Sequence, residues 1–155
     1  MSEALFMRRA IALSCEQARA GGGPFGAVIV QGDAIIAEGA NQVTSVNDPT
    51  AHAEIVAIRA ACARLNRFEL SGRAIFSSCE PCPMCLAAIY WARLDHLYYA
   101  GDRNDAAAAG FDDARIYTEL ALPLSARKLP TTRLVAREAR AGFEAWARNP
   151  NRVAY

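Results

Sequence analysis

Two cysteines three residues apart, set between prolines behind a short apolar run, constrain this chain more than any other stretch. The run Ala74-Ile75-Phe76 leads into Ser77-Ser78-Cys79 and then Glu80-Pro81-Cys82-Pro83-Met84-Cys85. Proline suits the first turn of a helix, where an amide N–H has no intrahelical partner to lose. Residues i and i+3 on such a turn share a face, so Cys82 and Cys85 can grip one ion. A third ligand is then needed. The chain has 2 histidines, and His52 lies at a helix start with Glu54 two residues on. Two thiolates and one imidazole leave one position of a tetrahedral zinc open to water. An open zinc beside a carboxylate is hydrolytic equipment. Other uses of the cysteines stand beside this one: a redox pair, buried apolar filler, or a structural zinc closed by Cys79 as a fourth ligand. A redox pair would leave the His52-Ala53-Glu54 helix start unexplained.

Around this stretch the periodicities predict an alternating α/β chain. Residues 3–19 carry a helical stripe of Phe6, Ala10, Leu13 and Gln17, flanked by Met7, Ile11 and Ala18. Gly21-Gly22-Gly23-Pro24 ends it. Strands are predicted at 25–30 and 34–40, joined by Gln31-Gly32-Asp33. Gly26 opens the first strand and admits close approach by a neighbouring helix or another group. Asp48-Pro49 reads as an N-cap followed by proline at the first helical position, with the helix running to about residue 65. His52 and Glu54 then fall in its first turn, where the helix dipole favours a carboxylate. A strand at 73–77, a helix at 82–92 and a strand at 96–100 follow. Residues 102–110 read as a loop, residues 111–120 as the lead-in and body of a short helix, 131–135 as a fifth strand and 137–146 as a last helix. His96, far from the ligand grouping, reads as a structural or surface histidine. The order predicts a three-layer α/β/α domain with a mixed five-stranded sheet: one antiparallel hairpin, then parallel crossovers through helices.

Composition narrows the class. The 155 residues suit one domain, and 53% hydrophobic against 21% charged residues describes a folded chain. No apolar run approaches the ~20 residues of a membrane span, and the N-terminus has no signal-peptide pattern. The 5 cysteines, an odd number, point to a reducing cytoplasm and to metal use. Net charge is +1, spread unevenly: residues 1–120 hold 10 basic and 14 acidic side chains, residues 121–155 hold 7 and 2. The basic C-terminal part reads as a solvated helix face, or as a surface for nucleic acid.

Three motifs together carry a family resemblance. Pro24-Phe25-Gly26-Ala27-Val28, Thr50-Ala51-His52-Ala53-Glu54 and Ser78-Cys79-Glu80-Pro81-Cys82-Pro83-Met84-Cys85 resemble the cytidine deaminase-like zinc enzymes. Their signature is His-x-Glu followed by Pro-Cys-x-x-Cys. The runs 88–93 and 109–113, and a terminal tyrosine shortly after Phe143-Glu144-Ala145-Trp146, are similar to the small bacterial guanine deaminases. The resemblance implies one zinc per chain held by His52, Cys82 and Cys85. It implies hydrolysis of guanine to xanthine and ammonia by a zinc-activated water, with Glu54 as the proton shuttle. It implies a purine bound near Phe25, Asn41, Ala53 and Asp113. Phe25 offers an apolar face, Asn41 an amide that both donates and accepts, and Asp113 a carboxylate that accepts from ring N–H groups. It also implies a homodimer in which Tyr155 closes the pocket, with residues 137–155 exchanged between subunits of a single 1–155 deaminase domain. The rivals are a tRNA adenosine deaminase, which needs a basic surface for RNA, deamination of cytosine or a nucleoside such as guanosine, and a noncatalytic zinc-stabilised module.

Overall fold

Both helical layers converge on β1 (Gly26–Gln31), whose residues 26–30 are all buried. The computed structural model describes residues 2–155. Side chains alternate across a strand. Val28 and Val30 therefore join Phe76 on one face, against Phe6, Ala10 and Leu13 of α1 (Glu3–Arg19). Ala27 and Ile29 join Ile75 on the other, against Ala53, Ala57 and Ala61 of α3 (Ala53–Leu65) and Ile89 of α4 (Pro83–Trp91). The result is the predicted three-layer α/β/α arrangement. Gly26 is explained by α1: a Cβ there would run into the Ala10 carbonyl oxygen and lie 2.7 Å from Leu13 Cβ.

The sheet has four strands, not the five expected. With β2 (Ala34–Ala40), β3 (Ala74–Cys79) and β4 (His96–Gly101), the order is β2-β1-β3-β4. β1 is antiparallel to both β2 and β3, and β3 is parallel to β4. Residues 131–135 have the β-branched composition of a strand but are exposed and irregular, with no ladder partner among the described residues. Pro130 lies just before them, and Val135 turns to a φ of 44°. Composition favours a strand only where a sheet edge accepts its hydrogen bonds.

Two other boundaries differ from expectation. The helix predicted from Pro49 begins at Ala53, with His52 as its N-cap. Asp48 is instead occupied by Thr50, whose N–H and hydroxyl both donate to its Oδ1 at 2.8 and 2.7 Å. A short helix, α2 (Val43–Val46), precedes this turn. The predicted 102–110 loop contains α5 (Arg103–Ala108), started by a capping box between Asp102 and Asp105. Alanine's high helix propensity does the rest.

The chain divides into two compact units, the second being Arg115–Tyr155. In that unit Arg127 donates to the carbonyls of Leu122 and Leu120, at 3.1 and 3.3 Å. α6 (Ala114–Ala121) leads into the unit, and α7 (Arg140–Arg148) lies near its end. Leu129, Leu134 and Phe143 are each about three-quarters exposed, at 74%, 75% and 78%.

Candidate metal centre and active site

α3 and α4 start side by side above the sheet, and their N-caps carry the predicted ligands. His52 caps α3, while Cys82 caps α4 with Pro83 in its first turn. The His52 side chain makes no capping hydrogen bond to α3, while the Cys82 sulfur is stabilised as a thiolate chiefly by the Cys85 thiol and in part by the Cys85 backbone N–H, so imidazole and thiolate both remain free to bind a cation. Cys85, one turn into α4, is buried. The His52 Nδ1 lies 3.5 Å from Cys82 Sγ and 3.5 Å from Cys85 Sγ. All three donor atoms fall within 4.8 Å of one another.

These distances fit zinc. Bonds of about 2.3 Å to sulfur and about 2.0 Å to nitrogen at tetrahedral angles place N and S about 3.5 Å apart. The protonation chemistry fits as well. The Cys82 thiol is lowered to about 4, chiefly by the hydrogen bond from Cys85 and then by that with His52. Cys85 is pushed up by its hydrogen bond to Cys82 and by burial, and His52 is raised by its hydrogen bond with Cys82. Without a cation the cluster shares protons; a divalent ion replaces them. Cys79 is outside the cluster. Its thiol points to the Asp102 carbonyl at 3.6 Å and is pushed up to about 11 by burial. Among the described residues, three protein ligands and not four are therefore gathered, as an open site requires.

Glu54 stands two residues beyond His52, at 6% exposure. Burial raises its pKa, opposed by hydrogen bonds that include one from Ser77. The Ser77 hydroxyl donates to Glu54 Oε1 at 3.0 Å. Residue-by-residue reading did not single out Ser77, although two serines in an otherwise apolar strand were a visible signal. Its neighbour Ser78 accepts the Gly26 N–H at 3.0 Å and holds the start of β1.

Phe25, Asn41, Ala53 and Asp113 are each held by distinct contacts. Phe25 meets Phe111 edge to face, with centroids 5.0 Å apart at 86°. Asn41 is buried; its N–H donates to the Phe25 carbonyl at 3.1 Å and its Oδ1 accepts the Val43 N–H at 3.2 Å. The next residue, Gln42, is tied to the Ala51 carbonyl, one residue before His52. Ala53 is fully buried in the first turn of α3, where backbone N–H groups lack intrahelical partners. Asp113 is raised chiefly by burial and by the charge of Cys82, with Arg103 pulling it down. Arg103 in turn clamps Glu80, donating to its carboxylate at 2.6, 3.1 and 3.2 Å, so α5 is pinned to the stretch that holds Cys82. Tyr155 belongs to the second unit and is 73% exposed. His96 is an exposed edge residue stacked on Tyr98, with centroids 4.1 Å apart.

A three-layer α/β fold with two cysteines and a histidine at adjoining helix starts, and a buried glutamate beside them, defines the zinc-dependent deaminase class. The chain belongs to the family described as the cytidine and deoxycytidylate deaminase zinc-binding region, whose family model matches residues 1–101. Across its whole length it is 51% identical to the guanine deaminase of Bacillus subtilis, covering all of that protein as well. The crystal structure of that enzyme superposes with a TM-score of 0.97 over 100% of this chain and 99% of the other. A guanine deaminase from Nitrosomonas europaea matches at 33% identity and TM-score 0.69, over 72% of this chain and 65% of that one. The tRNA-specific adenosine deaminase of Agrobacterium fabrum is 47% identical over 49% of this chain and 50% of its own length.

Proposed function

We propose that this chain hydrolyses guanine to xanthine and ammonia, with zinc held by His52, Cys82 and Cys85. The observation that carries the reading is full-length likeness. The guanine deaminase match runs through residues 102–155, beyond the zinc motifs that the tRNA-specific enzymes share over about half the chain. Zinc, when bound, supplies a Lewis acid that makes water nucleophilic near neutral pH. Glu54 takes the proton that this water sheds as C2 of guanine is attacked. It passes protons to the adjacent ring nitrogen and then to the departing amine, so that water and guanine become xanthine and ammonia. Phe25 supports the ring face, while the Asn41 amide and the Ala53 N–H address polar edges. Asp113 accepts from ring N–H groups, which adenine presents differently.

The experiment is the absorbance change of guanine, adenine, cytosine and guanosine with purified zinc-loaded protein. Guanine is expected to be turned over fastest. Faster deamination of adenine, or of a tRNA anticodon loop, overturns the reading.

The working form we propose is a cytoplasmic homodimer in which all 155 residues serve one deaminase domain and the 137–155 tail closes the neighbouring subunit's pocket. Support comes from the exposed apolar side chains of the second unit and from Tyr90 and Trp91 of α4, exposed at 76% and 67%. Surfaces of that kind mark association, and symmetry lets two chains exchange identical segments. Among the described residues no helix is long and apolar enough to cross a membrane. Sedimentation velocity tests the dimer; a monomer at catalytic concentrations overturns it.

A further inference from the structure

We propose that Ser77 is a positioning residue for the proton shuttle: its hydroxyl pins one carboxylate oxygen of Glu54 and leaves the other to exchange protons. This rests on the reading of Glu54 given above. Ser77 lies in β3, an inner strand, paired with Ala27 on one side and Tyr99 on the other. It is 2% exposed. Strand alternation places it on the same face as Ile75, which belongs to the apolar cluster under α3 and α4. A hydroxyl in such a floor needs a partner, and the partner it has is Glu54 Oε1 at 3.0 Å. A carboxylate only accepts, so Ser77 donates.

The need for a pin follows from the task. Glutamate has three side-chain torsions, and its terminal one is broad. A shuttle must present one oxygen in turn to water, ring nitrogen and amine, within about 0.5 Å of productive geometry. Cys85 also supports Glu54 through a hydrogen bond, but a thiolate bound to metal has no proton to donate. Ser77 then remains as a side-chain donor to Glu54, fixed by strands on both sides. The Glu54 backbone N–H also bonds the carboxylate, and the Ser77 pin on Oε1 assigns Oε2 to the reaction.

The test compares Ser77→Ala, Ser77→Thr and Ser77→Cys in the zinc-loaded protein, each alone and with Glu54→Gln. Ser77→Ala should keep its zinc and its KM for guanine to within about twofold, while kcat falls about 10- to 100-fold, the usual cost of losing an outer-shell hydrogen bond. Ser77→Thr, which retains the hydroxyl, should restore most of it. With Glu54→Gln already present, Ser77→Ala should cost nothing further, since interacting residues are not additive. The Glu54 Cδ resonance, read by carbon NMR in metal-free protein, should move in Ser77→Ala and return in Ser77→Thr. If the alanine variant does not fold, the near-isosteric Ser77→Cys decides, because its thiol is a weak donor; a native kcat there overturns the proposal. So does a native kcat in Ser77→Ala, a loss that threonine fails to rescue, or a loss that persists undiminished beside Glu54→Gln. Near-normal activity of Glu54→Gln alone is a different result: it removes the shuttle assignment itself.

Discussion

Glu54 is a carboxylate kept where water cannot solvate it, and its value lies in that setting. Burial pushes its pKa up, and a general base must both take and return a proton. Glu54→Gln keeps the size but not the proton, so turnover should fall at least ~10²-fold with zinc content unchanged by elemental analysis. Asp113→Ala should likewise spare zinc but cut guanine turnover, because ring N–H groups lose their acceptor. The metal ligands behave differently. Cys82→Ala or Cys85→Ala removes a ligand, so stability measured by urea unfolding should fall together with metal content. Acid should act through the same atoms. The His52 pKa is raised above 6.5 in the metal-free fold, so its proton stabilises that fold fully below the ordinary imidazole value. That contribution is lost as pH rises through the raised value. Zinc must displace this proton and the one held by Cys85, whose pKa is raised, so competition with a chelator should show retention falling as pH drops from 8 toward about 5.5.

At the scale of elements, the site depends on how closely α3 lies on the sheet. Gly39 of β2 faces the first turns of α3: a Cβ there would meet the Ala53 carbonyl oxygen and lie 2.6 Å from the Ala57 nitrogen. These are backbone atoms and cannot swing aside. Gly39→Ala should therefore lift the helix start that bears His52 and Glu54. We expect about 1–3 kcal/mol lost in urea unfolding, the usual cost of overpacking, with weaker zinc retention. The α4 start is braced from the other side by the Glu80–Arg103 clamp. α1 is tied to the far edge strand by Arg9, which donates to both Glu38 oxygens at 2.8 and 2.7 Å. Both of those side chains are over a third exposed, so the pair contributes at most about 1 kcal/mol.

For the whole molecule, the prediction concerns the tail. If the tail closes the pocket as proposed, deleting residues 154 and 155 should leave a folded, zinc-loaded protein with sharply reduced guanine turnover, since a lid excludes water from the reacting ring. Normal activity at all concentrations would make the tail irrelevant to the site. Exchange between subunits has its own test. On the proposed tail-exchanged dimer, mixing the Asp113→Ala chain with the truncated chain should restore activity, since each mixed dimer would hold one intact pocket. Confirmed mixing without recovery would mean that the tail serves its own chain.

The zinc triad was legible in sequence because metal chemistry restricts residue type and local spacing: Cys82 and Cys85 had to share one helical turn, and the chain offers His52 and His96 as imidazoles. α1 was legible for a similar reason, since its buried stripe repeats every three to four residues against a single face. The start of α3 was not. Asp48-Pro49 has the composition of a helix start, and only the folded loop commits Asp48 to Thr50. Residues 131–135 have strand composition, yet hydrogen-bond partners for a strand come from elsewhere in the fold, and among the described residues none is supplied. Ser77 shows the division most clearly. Its polarity inside an apolar strand was visible, but Glu54 lies 23 positions away, and only the crossing of α3 over β3 brings the hydroxyl to the carboxylate. Local periodicity and ligand chemistry are written in neighbouring residues, whereas partners distant along the chain are chosen by packing.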